Sequence, residues 1–114
     1  MTRAEYNTLT GKVKTSAMNK TEEAYGLILE AMARRGKIKR YKFEALKLRL
    51  AGRTHFTPDF YVVTDKPELH EVKGGFIRED AWIKLKVAAE MYPEFRFILA
   101  QHKDKQWTIK EVGK

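Results

Sequence analysis

The chain has 114 residues, with 23 Lys and Arg against 15 Asp and Glu, a net charge of +8 and no cysteine. That length suits one folded unit, and a 43% hydrophobic content with ample aromatic residues excludes an unfolded chain. The lack of cysteine excludes disulfides, thiolate zinc sites and cysteine nucleophiles, while the short apolar runs and the polar opening residues predict neither a membrane partner nor a signal peptide, hence a cytoplasmic location.

Residues 1–18, with Arg3, Lys12 and Lys14, show little periodicity and read as a basic N-terminal arm; a single domain is expected over 19–114. Asn19 or Thr21 can cap a helix whose first turn holds Glu22 and Glu23, where the helix dipole favours anions. Tyr25, Ile28, Leu29 and Met32 recur at helical spacing as one apolar stripe, Arg34 and Arg35 close the last turn, and Gly36 is a C-cap. In KIKRYKFEALKLRLAG, Tyr41 and Phe43 alternate with charged residues, and so do Leu46, Leu48 and Leu50. The parity flips between the two sets, so a strand with a bulge or bend at Glu44 and Ala45 is expected, a short helix being the rival. Gly52 and Arg53 form a turn. FTPDFYVVT is a second strand, TDKPE a turn and LHEVKG a short third strand. Asp80 can cap a second helix that runs to about Tyr92 and stops at Pro93. FRFILA and QWTIKEV are the last strands. Short turns predict antiparallel pairing of the first three strands, and the following helix can bring the fourth in parallel. The expectation is an α/β fold with a mixed sheet flanked by helices.

The positive excess suits a polyanionic partner, and nucleic acid is the usual one. Chemistry concentrates in Pro58-Asp59, eleven intervening residues, then Glu71-Val72-Lys73. Residues two apart on a strand share a face, so Glu71 and Lys73 project together while His70 and Val72 point away, His70 into the core. A tight hairpin would set Asp59 opposite Glu71, with facing Cβ atoms roughly 4.5–5.5 Å apart. Two carboxylates that close repel each other, and a divalent cation removes the repulsion. Oxygen donors without His or Cys suit Mg²⁺ or Mn²⁺. A metal-bound water can attack a phosphodiester while the cation and Lys73 stabilise the developing charge. Gly74 and Gly75 leave room for close approach.

TPDFYVV followed by LHEVKGG resembles the PD-(D/E)XK nuclease superfamily. NKTEEAY, LRLAGRTHFTPDF and IKLKVAAEMYP are similar to small phage-type nucleases of that group, so the resemblance covers roughly residues 19–100. It implies a restriction-endonuclease-like core in the order helix, three strands, helix, strand, to which this chain adds a C-terminal strand. It implies that Asp59 and Glu71 bind Mg²⁺ or Mn²⁺, with the Val72 carbonyl as third ligand, and that Lys73 orients or activates the attacking water. Many members add an acid from the first helix. At about 100° per residue, Glu22 borders the apolar stripe and Glu23 falls on nearly the opposite side, which favours Glu22. A lysine on the second helix, Lys84, is expected at the cleft. Junction resolvases of the superfamily act as dimers on branched DNA, so a homodimer is expected, in the bacterial host cytoplasm if the chain is phage-encoded. The basic run Arg34, Arg35, Lys37, Lys39, Arg40 and Lys42 can grip a phosphate backbone or form a solvated loop. Trp82 and Trp107 read as packing residues and His55 as a strand-edge residue. The rival functions are a non-cleaving basic nucleic-acid-binding module and a nuclease acting on general duplex DNA or on RNA.

Overall fold

The computed structural model describes residues 17–113, so the expected arm lies outside the described residues except for its last two positions. Helix α1 (Lys20–Arg34) starts at a full capping box. Asn19 Oδ1 accepts from the Glu22 amide at 2.8 Å, and Glu22 Oε1 accepts from the Asn19 amide at 2.9 Å. Gly36, with φ 74°, stops the helix just past its end. Tyr25 and Leu29 are buried, whereas Met32 is half-covered and Ile28 sits at the rim, so the buried stripe is narrower than the spacing predicts.

Seven strands follow: β1 (Arg40–Phe43), β2 (Leu48–Ala51), β3 (Thr54–Phe56), β4 (Phe60–Val63) and β5 (Pro67–Gly74), then, after helix α2 (Glu79–Met91), β6 (Arg96–Lys103) and β7 (Gln106–Val112). The main sheet has the order β1-β4-β5-β6-β7, and β2 and β3 form a separate hairpin. β5 and β6 are parallel, joined through α2, and the other pairs are antiparallel. The fold is thus α/β with a mixed sheet flanked by helices. Among the described residues no helix is long and apolar enough to cross a membrane.

The first two expected strands are corrected. Each is split, and the halves belong to different sheets. The first breaks at Glu44, which takes a left-handed φ of 48° where the apolar parity flips. The second breaks over 57–59, where Pro58 has no N–H to give a ladder. The third strand is eight residues long rather than short, and it opens with Pro67, a position where proline is tolerated. Asp80 is not the cap of α2. The helix starts at Glu79 with Arg78 as N-cap, which leaves Asp80 in the first turn, 3.4 Å from the Arg78 guanidinium.

Strand alternation divides the core between two faces. Under α1 lie Tyr25, Leu29, Ile38, Phe43, Phe60, Val62, Val72 and Ala100. On the other face α2 and the β2–β3 hairpin cover Leu69, Leu85, Ala88, Phe97, Leu99 and Val112, with Leu48 and Phe56 from the hairpin itself. Phe60 has no exposed surface, and truncating such a residue to Ala typically costs about 3–5 kcal/mol. Trp82 and Trp107 each pack against one of these cores, as their reading as packing residues requires.

Candidate active site

The break before β4 builds the site. β1 ends at Phe43, and the Glu44 amide donates to the Asp59 carbonyl at 2.8 Å. Asp59 therefore stands at the mouth of β4, one step beyond the Phe60–His70 pair, beside Glu71. The two residues hold each other. Glu71 Oε1 accepts from the Asp59 amide at 3.3 Å, and Asp59 Oδ2 accepts from the Val72 amide at 2.7 Å. Lys73 Nζ lies 3.6 Å from Glu71 Oε2 and is partly open to solvent.

Glu22 joins them from α1. Its carboxylate is close enough to Asp59 to act on it by charge and by hydrogen bonding. Gly74 permits the approach, because a Cβ there would stand 3.0 Å from Thr21 Oγ1 at the start of the helix. Glu22 is partly buried and Glu23 is exposed, as the helical phase predicts.

Burial, the charge of Glu71 and the nearness of Glu22 push the Asp59 carboxyl up to about 9, against a favourable bond from the Val72 amide. Burial raises Glu71 as well, and Lys73 opposes that rise. An acid pair held above its ordinary range is one that a cation would stabilise. Among the described residues no three His, Cys, Asp or Glu side chains gather as a ready-made metal cage. Mg²⁺ does not require one, since it commonly takes one or two carboxylates and completes its shell with water and substrate phosphate. The donor set of Asp59 and Glu71 fits that pattern. Val72 enters the site through its backbone amide, which donates a hydrogen bond to Asp59 Oδ2.

The basic run expected to grip DNA lies elsewhere. Arg34, Arg35, Lys37, Lys39 and Arg40 are exposed, at the far end of α1 and the start of β1. Arg34 is about 18 Å along the helix from Glu22, at roughly 1.5 Å per residue. Buried Ile38 anchors this run, and Arg34 is paired with Glu30 at 2.8 Å. Lys84 is exposed on α2.

A second buried polar group escaped the sequence reading. Tyr25 Oη lies 2.6 Å from His70 Nδ1, His70 Nε2 lies 2.8 Å from Glu68 Oε1, and Arg96 Nη1 donates to Glu68 Oε2 at 2.6 Å. Burial raises Glu68, but bonds from His70 and Arg96 more than offset it and hold its pKa below the ordinary value. An ionised Glu68 only accepts, so His70 Nε2 is the donor there. Burial, then the charge of Glu68, keeps Tyr25 protonated. The alternation of Glu68 with His70 was the available signal, whereas Tyr25 was indistinguishable from the apolar stripe.

Compared with known proteins, the chain matches no family model, no curated protein and no solved structure.

Proposed function

We propose that the chain is a Mg²⁺- or Mn²⁺-dependent DNA endonuclease of PD-(D/E)XK type. The observation that carries this reading is the mutual lock of Asp59 and Glu71, with Lys73 beside one acid and Glu22 beside the other. The order of the elements around this site supports a restriction-endonuclease-like core, with the β2–β3 hairpin and β7 as additions.

Asp59 and Glu71 would hold the cation. When bound, Mg²⁺ or Mn²⁺ supplies Lewis-acid polarisation of the phosphate and lowers the pKa of water. Lys73 balances Glu71 and has donors free to meet a phosphate oxygen or to orient the attacking water. Glu22 extends the acidic set toward α1. The positive charge of the chain attracts the polyanion without selecting among DNAs. Selectivity for branched DNA would come from a homodimer whose two basic surfaces engage two arms at once, which raises the effective concentration of the second contact.

One assay tests the reading. Plasmid, linear duplex, single-stranded and four-way-junction DNA are incubated with the full chain in Mg²⁺, Mn²⁺ or EDTA. Cleavage dependent on the cation and lost in Glu71→Ala is expected. Intact DNA in both metals would overturn the enzymatic assignment, and equal cutting of linear and branched DNA would overturn the structural selectivity.

A further inference from the structure

Phe76 is 82% exposed. Yet its loop is firmly built. Gly75 turns the chain with φ 80°, its amide donates to the His102 carbonyl at 2.9 Å, and its carbonyl accepts from Gln101 Nε2 at 3.0 Å. On the other side Ile77 packs into the core beneath α2. The backbone is thus pinned on both flanks while the ring between them stands in water. The ring is the most exposed of the large apolar side chains among the described residues, and it is held in place by its backbone and not by burial.

A cation lies against the ring: Lys103 Nζ sits 4.0 Å from its centroid, which leaves most of the ring open. Arg78 is exposed two residues on, 3.4 Å from Asp80. Lys73 lies three residues back, so its Cα can be no more than about 11 Å away along the chain. That is about three base steps of a DNA strand at ~3.4 Å each. An exposed flat ring with a lysine against it fits a flat group carried on an anionic backbone. It is too small and too charged about its rim for an apolar protein interface.

We infer that Phe76 is a stacking platform for an unpaired nucleobase beside the phosphate to be cut, with Lys103 and Arg78 holding the strand that carries the base. Every base has a π-face, so such a platform selects unpaired over paired DNA without reading sequence. This subsite rests on the nuclease reading and makes it more specific: the substrate holds a single-stranded or locally opened segment next to the cleavage point.

The test is a binding experiment on the full chain in EDTA, where no cation is present to support cutting. Anisotropy titrations compare a duplex bearing an unpaired thymidine flap with a fully paired duplex of the same length. Phe76→Ala is expected to weaken flap binding about tenfold and duplex binding by less than about twofold, and Phe76→Trp to restore the preference. Replacing a flap thymine by 5-iodouracil and irradiating should place the adduct on the peptide that carries Phe76. Equal losses on both DNAs, no loss on either, or an adduct confined to other peptides would overturn the proposal. So would a loss of self-association in Phe76→Ala in place of a loss of flap binding. Cleavage by the wild-type chain in Mg²⁺ or Mn²⁺ separates the two readings. A Phe76-dependent flap preference without cleavage sinks the enzyme and leaves the platform standing; cleavage with unaltered flap binding in Phe76→Ala does the reverse.

Discussion

Acidic side chains are buried at two places along β5, Glu68 near its start and Glu71, with Asp59 beside it, near its end, and the two differ in what surrounds them. Glu68 meets His70 and Arg96, so both its oxygens are bonded and its pKa falls. Asp59 and Glu71 meet chiefly each other and two backbone amides, and their pKa values rise. Glu68 is balanced from within, by hydrogen bonds with His70 and a rim arginine. The Asp59–Glu71 pair is balanced only in part by Lys73, and a positive ligand would complete it. A fully partnered buried group has nothing further to gain from a ligand, whereas an undercompensated acidic cluster is where a cation would stabilise most.

Substitution separates the two most sharply. Asp59→Ala or Glu71→Ala is expected to bring nicking to background, and Lys73→Ala to slow it by about 10²–10³-fold, as removal of a charge-stabilising donor does. The metal-free melting temperature of the two carboxylate variants should hold or rise near neutral pH, because the cost of burying a carboxyl and holding its pKa above the ordinary value offsets the one amide bond it accepts. Wild-type turnover in these variants, or a deep loss of metal-free stability, would show the pair to be structural.

Glu68→Ala should do the opposite. Nicking by whatever protein remains folded is retained, but stability drops by about 1–3 kcal/mol, because His70 and Arg96 lose a buried acceptor. Thermal melts at fixed pH, set beside specific activity, decide this. An Ala variant as stable as wild type would remove Glu68 from the structural account.

pH sharpens the contrast because the signs are opposed. Asp59 has a folded pKa above its unfolded value. Its contribution to stability is therefore full below the ordinary 3.8 and is lost as pH climbs toward about 9. Glu68 has a depressed folded pKa, so its contribution is present above the ordinary 4.5 and is lost as pH falls through the depressed value. Asp59→Asn should flatten the alkaline limb of the metal-free stability curve, and Glu68→Gln the acid limb. Mg²⁺ should raise the wild-type melting temperature more at pH 8 than at pH 6, with proton release on binding. Identical curves for Asp59→Asn and wild type would refute the elevated carboxyl.

The smallest expected effect tests the helix. Glu22→Gln keeps the capping box, since glutamine fills the same role, so stability should scarcely move while activity falls. Glu23→Gln should leave both unchanged. Equal activities would detach Glu22 from Asp59.

The acid–acid–lysine set and the helix acid were legible in the sequence because each rests on a short-range rule. Alternation places Glu71 with Lys73, helical phase selects Glu22 over Glu23, and a tight hairpin sets Asp59 by Glu71. The crossover from β5 to β6 and the mixed character of the sheet followed from the same local patterns. What was hidden depended on long-range packing. The detached β2–β3 hairpin reads as continuous strand on both sides, and only the parity flip at Glu44 and the missing amide of Pro58 hint at the breaks. Tyr25, His70, Glu68 and Arg96 come from three separated elements, and no spacing announces their chain of bonds.

The bonds at Asp59 carry one more consequence. Past the Phe60–His70 pair the two strands keep exchanging hydrogen bonds, but side-chain carboxylates now stand where backbone carbonyls would be. Asp59 and Glu71 are substitute rungs that prolong the β4–β5 ladder by one step. The position of both acids is therefore dictated by strand register: a slip of one residue would turn every side chain of β4 to the opposite face and dissolve the site along with the core. The register that buries the core is thus the register that sets the spacing of the two carboxylates.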